Sequence, residues 1–249
     1  EVIPHQVISD RTDFWMEVLK PNRKRRVQVL FPATVPACGF TTVFAQPTTA
    51  TSAPTTDLQA HPRGGENQYL SFTIADDGGL IVTDKITGQT YTDLGHFYDA
   101  EDTGDEYTSC PFPNGSHIIS TAGHLARISA TETGPCRIAF HLEWELEIPA
   151  GLTDDRQRRS DETVMLPITS DVHLYADQPG LYIRTHITNL AGNHKLTVNF
   201  PTGIRAEQAY VDESFMVAAR ELKLPDSSGW VEDPTPLMHQ RAFTDLSDG

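Results

Sequence analysis

Arg137-Ile138-Ala139-Phe140-His141-Leu142-Glu143-Trp144-Glu145-Leu146-Glu147-Ile148 is the stretch that decides the fold class. Ile138, Phe140, Leu142, Trp144, Leu146 and Ile148 alternate with Arg137, Ala139, His141, Glu143, Glu145 and Glu147. A period of two with one apolar set marks a strand buried on one face, and Glu143, Glu145 and Glu147 read as its wet side. Extended, these 12 residues reach roughly 40 Å, well beyond the usual strand of about five or six residues, so a large sheet is expected.

The same period returns on either side. Leu181, Ile183, Thr185 and Ile187 form one run, and Leu196, Val198 and Phe200 another that stops at Pro201-Thr202-Gly203. Between them, Leu190-Ala191-Gly192-Asn193-His194 supplies residues that tolerate positive φ, which predicts a hairpin. Upstream, Tyr69, Ser71 and Thr73 alternate with Leu70, Phe72 and Ile74, and Asp76-Asp77-Gly78-Gly79 turns the chain into Leu80-Ile81-Val82, a second hairpin. Helical spacing is confined to Asp13–Leu19, which reads equally well as a strand. The expected fold is all-β: two antiparallel sheets, each with one wet face, stacked as a sandwich.

Between Ala45 and Pro62 the chain is mostly Thr, Ala, Pro and Ser, too poor in apolar side chains to pack. The expected organisation is a small β segment over 1–45, a linker over 46–62 and the main β domain over 63–249. The densely charged Leu152–Glu162 reads as an exposed loop between two long strands.

Composition narrows the function classes. Nineteen Lys plus Arg against 34 Asp plus Glu give a formal charge of -15, which repels nucleic acid and anionic membrane surfaces. The basic run Arg23-Lys24-Arg25-Arg26 is a solvated strand entrance on this reading. Cys38, Cys110 and Cys136 are odd in number and widely spaced, without zinc-site spacing or a disulfide framework. No run of about 20 apolar residues is present, and nothing marks the chain for export, so the expected location is the cytoplasm. A start at Glu1 without methionine suggests a piece of something longer.

No GxSxG, HExxH, GxxxxGK[ST] or GxGxxG pattern occurs, and the 10 histidines are scattered. His173 and His186 read as surface residues on the polar side of their strands. What remains is Glu101-Asp102-Thr103-Gly104-Asp105-Glu106-Tyr107-Thr108-Ser109-Cys110-Pro111, four carboxylates and a tyrosine on a loop. Acceptor oxygens beside a flat ring suit a sugar or a cation. A solvated acidic turn is the competing reading. Hydrolysis of a glycosidic bond needs two carboxyl groups held about 5 to 10 Å apart. Adjacent Asp105 and Glu106 do not supply that geometry, and a partner would have to come from Asp212 or Glu213.

The order of several short motifs resembles the C-terminal β domain of α-mannosidases of glycoside hydrolase family 38, of the bacterial type. They are Glu66-Asn67-Gln68-Tyr69-Leu70, Asp77-Gly78-Gly79, Thr83-Asp84-Lys85-Ile86-Thr87-Gly88, Gly104-Asp105-Glu106-Tyr107 and Leu196–Ile204, with Val35-Pro36-Ala37-Cys38-Gly39-Phe40 before the linker. The resemblance implies a galactose mutarotase-like β-supersandwich. It implies that the aspartate nucleophile and a zinc or other divalent metal belong to an N-terminal catalytic barrel absent from these residues. This stretch would then hold no cofactor, be inactive alone, and help close the sugar site of a retaining, metal-dependent hydrolase. Its partners would be that catalytic domain of the same polypeptide and an α-mannoside, with no nucleic acid or membrane, and homo-oligomerisation left open. The family contributes a tyrosine and an arginine to the edge of the sugar site, best matched by Tyr107 and Arg220; Asp105, Glu106 and Asp212 complete the candidate substrate-binding set. The chain departs from the pattern at Cys110, before Pro111, which puts the loop's conformation in question.

Two other function classes stay in view. An aldose 1-epimerase would use a histidine acid and a glutamate base on the same sandwich, though His96, His117 and His124 lack the expected Asn-His strand motif. A lectin-like module would bind carbohydrate without a partner domain.

Overall fold

The computed structural model describes residues 3–17, 20–46, 56–105, 107–112, 114–230, 234 and 239–247. Among the described residues, seventeen strands follow one another and no α-helix occurs: β1 (Gln6–Glu17), β2 (Lys20–Leu30), β3 (Gln59–His61), β4 (Gly64–Glu66), β5 (Leu70–Ile74), β6 (Leu80–Asp84), β7 (Thr90–Leu94), β8 (His96–Glu101), β9 (Ile119–Ser120), β10 (Arg127–Thr133), β11 (Arg137–Pro149), β12 (Thr163–Tyr175), β13 (Leu181–Ile187), β14 (His194–Asn199), β15 (Gln208–Glu213), β16 (Met216–Glu221) and β17 (Thr244–Asp245). Every pairing is antiparallel. The chain divides into two compact units, Glu1–Pro201 and Thr202–Gly249.

In the first unit, β3 to β7 form a sheet in chain order, as do β10 to β13, while a third sheet runs β14-β8-β9 and β1-β2 stands as a hairpin. The decisive stretch is β11, and its six alternating apolar residues are all buried, at 5% exposure or less. It pairs with β12 over its full length, from Arg137 opposite Tyr175 to Pro149 opposite Thr163. The length of β11 is not matched by sheet width, since its sheet has four strands. The β5–β6 hairpin forms as its alternation predicts, and Leu70, Phe72 and Ile74 face the core.

Edge-to-face rings tie the three larger sheets of this unit together, Phe72 on Phe140 at 6.0 Å and Phe97 on Trp144 at 5.8 Å. The indole of Trp144 donates to the Asp77 carbonyl at 2.8 Å, which satisfies its only polar atom. Gly78 completes this turn: its φ is 84°, and a Cβ there would lie 2.2 Å from the Trp144 ring. The N-terminal hairpin is anchored by one buried side chain. Gln6 accepts from the amides of Cys136 and Arg137 and donates to Glu132, which is also paired with Arg137.

Several expectations change on contact with the structure. Residues 13–17 are strand, part of β1, and residues 18 and 19 lie outside the described set. β13 and β14 do not form a hairpin: β13 pairs with β12 and β14 with β8, so residues 188–193 cross between two sheets. Turn residues permit a reversal without choosing its partner, and the ladder to β8 decides it. Asn193 does take positive φ, 50°, at the end of that crossing. Ile183 and Ile187, although periodic, are 38% and 37% exposed. His173 is half-buried and burial pushes its pKa down, whereas His186 is exposed. Within the linker stretch, 47–55 lie outside the described residues and 59–61 are β3.

The second unit is small. β15 lies between β16 and β17, with Ala209 and Val211 buried.

Candidate functional site

β8 leads straight into the acidic loop, and its last residue is the first of the loop's carboxylates. Glu101 is 2% exposed and accepts from the amides of Phe112 and His117. Burial works to raise its pKa, but hydrogen bonds from the Ser116 side chain and from backbone amides outweigh it and hold the group below its ordinary value. Asp102 likewise turns inward. One of its oxygens accepts from Gly104 N and Cys110 N, both at 2.9 Å, while Thr103 N donates to the Cys110 carbonyl at 2.8 Å and closes the loop's neck. Desolvation opposes ionisation there too, and the Cys110 and Gly104 amides, the Ser109 side chain and Lys195 together lower the pKa.

Asp105 caps the tip. Its Oδ1 accepts from Tyr107 N at 2.9 Å and Thr108 N at 2.8 Å, and these two amides depress its pKa. Gly104 is needed because a Cβ there would sit 1.7 Å from the Thr108 carbonyl oxygen. Asp102 and Asp105 are therefore occupied by the loop's own backbone, and Glu101 by the amides of Phe112 and His117 that follow it. Tyr107 is turned outward, 89% exposed. Cys110 contributes through its backbone N–H and C=O, so the departure from the family pattern at that position leaves the closure intact.

Two further loops of the first unit hold this one. Arg156, between β11 and β12, donates to the Thr103 carbonyl at 2.8 Å, the Gly104 carbonyl at 3.3 Å and the Asn193 amide oxygen at 3.3 Å. Arg159 meets fully buried Asp99 at 2.5 Å, and the other Asp99 oxygen lies 2.5 Å from His194 Nδ1. The stretch Leu152–Glu162, read as solvated, thus sends one arginine into the interior, with 8% of its side chain exposed. Asp99 supplies the reason, since a buried carboxylate requires a partner.

The other candidates lie elsewhere. Glu106 falls outside the described residues. Asp212 and Arg220 sit on the paired strands β15 and β16 of the second unit but not opposite each other: Asp212 faces Val217 and Arg220 faces Ala209. The Arg220 guanidinium is paired with Glu213. At the turn between these strands Phe215 is fully exposed at φ 70°. Among the described residues, no group of three or more His, Cys, Asp and Glu could hold a metal ion. A cleft of about 610 Å³, lined by residues including Phe31, Tyr175, Gln178 and Tyr182, and an apolar cavity of about 280 Å³ between β8, β11, β12, β13 and β14 both exclude the acidic loop from their walls.

Residues 66–248 match the model of the Glycosyl hydrolases family 38 C-terminal domain. The chain belongs to this family. A protein of Halalkalibacterium halodurans named as a mannosylglycerate hydrolase is 24% identical over 198 residues, covering 74% of this chain and 22% of that protein. Two solved structures share the fold. An alpha-mannosidase from Enterococcus faecalis V583 superposes with a TM-score of 0.81 at 24% identity, covering 100% of this chain and 30% of that one. A glycosyl hydrolase family 38 protein from Enterococcus faecalis gives 0.75 at 23% identity, covering 89% and 28%. The family 38 chain described here therefore spans under a third of the length of each of these relatives.

The motifs around Asn67, Asp77 and Lys85 hold the fold together. Asn67 is 1% exposed and fully bonded: its amide nitrogen donates to the Tyr175 and Gln178 carbonyls, and its oxygen accepts from Tyr69 N and Leu70 N. Lys85 reaches back from the turn after β6 to the Asn67 carbonyl and to Glu66, both at 2.7 Å. Asp77 receives the amides of Gly79 and Gly123. For the epimerase reading, His96 is buried against Thr121 and Asp77, and His141 pairs with Asp171 and Glu143 on the solvent-facing side of β11. The family match favours the hydrolase domain over that reading.

Proposed function

We propose that this chain is the non-catalytic C-terminal β domain of a longer α-mannosidase-type glycoside hydrolase. In this reading it supports, and closes one side of, a sugar site whose nucleophile and divalent metal belong to an N-terminal catalytic domain of the same polypeptide. The match over residues 66–248 carries the assignment. Within the domain, the loop Glu101–Pro111 is the carbohydrate-facing element, and Tyr107 is its contact residue. The support is geometric: the described carboxylates of the loop cap backbone amides, and the exposed tyrosine offers an apolar face to a pyranose and a hydroxyl to its oxygens. Arg220 is the second candidate, with its charge partly engaged by Glu213.

Tyr107→Ala in the full-length enzyme tests the assignment. Loss of a direct sugar contact is expected to lower kcat/KM for an aryl α-mannoside by about tenfold, about 1.4 kcal/mol. Unchanged kinetics would remove Tyr107 from the site.

A further inference from the structure

We propose that Arg156, on the β11–β12 loop, is the positioning residue of the acidic loop, holding its backbone so that Tyr107 is presented outward. The inference rests on the carbohydrate-facing reading of Tyr107 given above. Side chains inside the loop satisfy its amides: Asp102 takes Gly104 N and Cys110 N, and Asp105 takes Tyr107 N and Thr108 N. The carbonyls of Thr103 and Gly104, immediately before that tip, are taken by a residue more than 50 positions away, as Arg156 bridges both with one guanidinium nitrogen. Its other terminal nitrogen donates to the Asn193 side chain, and Asn193 O in turn accepts from Asp102 N at 2.9 Å. The three loops therefore meet at one cation.

The backbone points to the same place. Arg156 and Asn193 are two of the five non-glycine residues with positive φ among the described residues, at 56° and 50°, and they are bonded to each other. Asparagine adopts left-handed backbone readily, but at arginine it persists only where its surroundings hold it, and such positions gather at ligand clamps. The base of the cluster does not depend on Arg156. It is held by the Arg159–Asp99 ion pair and the Asp99–His194 hydrogen bond, and His194 Nε2 lies 3.0 Å from the Asn189 amide oxygen. Arg156 is exposed, so its removal leaves the buried pairs in place. Lysine would not replace it, because an ammonium is a point charge without the planar fork that spans two carbonyls and an amide.

The test uses the full-length enzyme with Arg156→Ala, Arg156→Lys, Tyr107→Ala and the Arg156→Ala/Tyr107→Ala double variant. Hydrogen exchange at Gly104, Tyr107, Thr108 and Cys110 is expected to speed up about tenfold in Arg156→Ala, and less in Arg156→Lys, with the β5, β6 and β11 amides unchanged. For an aryl α-mannoside, Arg156→Ala is expected to raise KM more than it lowers kcat, and the double variant to be no worse than Tyr107→Ala alone. Unchanged exchange in the loop overturns the inference, and so do losses that multiply in the double variant. If exchange speeds up as expected while Tyr107→Ala is kinetically silent, the clamp stands and the carbohydrate reading of Tyr107 falls.

Discussion

Asn67 and the acidic loop use the same chemistry to opposite ends. In both, short side-chain oxygens accept backbone amides two and three residues ahead: Asn67 takes Tyr69 N and Leu70 N, and Asp105 takes Tyr107 N and Thr108 N. Asn67 also donates to two carbonyls more than 100 residues away, which ties the start of β5 to the end of β12 inside the core. Asp105 has no such reach, and its loop ends in an aromatic ring at 89% exposure. Where the capped segment is also pinned from behind and buried, the motif builds the fold. Where it is capped and left facing solvent, it displays a side chain.

The comparison predicts a graded set of outcomes. Asn67→Leu should be the most damaging, because it strands two buried carbonyls and two amides. A loss of about 3 kcal/mol, roughly 10 °C in Tm, is expected by calorimetry, and a smaller loss than that of any loop variant would break the contrast. Gly104→Ala comes next. The 1.7 Å approach to the Thr108 carbonyl forces the loop to rebuild at a local cost of about 2 kcal/mol, visible as faster exchange over 103–110 with little change in global Tm. Tyr107→Ala should leave stability within about 0.5 kcal/mol, as for other exposed positions, while costing activity as stated above; a large Tm shift would mean that the ring packs rather than presents.

The smallest effect is that of pH. The Asp102 and Asp105 carboxyls sit below their ordinary values in the folded loop. Their contribution is therefore complete above the ordinary carboxylate range and is lost as pH falls through the lowered values. Loop exchange, corrected for its intrinsic rate, should be flat from pH 8 to about 5 and rise only below about 4. Asp105→Asn keeps an acceptor oxygen and should flatten part of that rise. A transition near neutrality would show that some other group governs the loop.

Much of the fold was legible in local pattern. The alternation in β11, the β5–β6 hairpin and the wet glutamates of β11 follow from a period that each segment carries within itself. The β13–β14 pairing was not legible. The Gly192-Asn193 pair allows a tight reversal, and the strand that captured β14 lies almost 100 residues earlier. The site divides in the same way. Residue types in the acidic loop marked it as a candidate surface, yet composition counted four carboxylates where the structure commits Glu101, Asp102 and Asp105 to backbone amides. Arg156 and Arg159 looked like any residues of a charged, solvated stretch; without Thr103, Gly104 and Asp99 placed beside them, nothing local distinguished them from Arg158, which pairs with Asp161 three residues on.

By itself the amino-acid sequence determined an all-β chain, the β5–β6 hairpin, its negative charge and the loop with Tyr107, because periodicity, turn preference and charge are properties of neighbouring residues. Only the tertiary structure decided which strand β14 joins, that the loop's described carboxylates bond backbone amides, and that Arg156 grips a backbone 53 positions earlier. Those outcomes depend on which donors and acceptors are brought within about 3 Å of one another by the packing of distant segments.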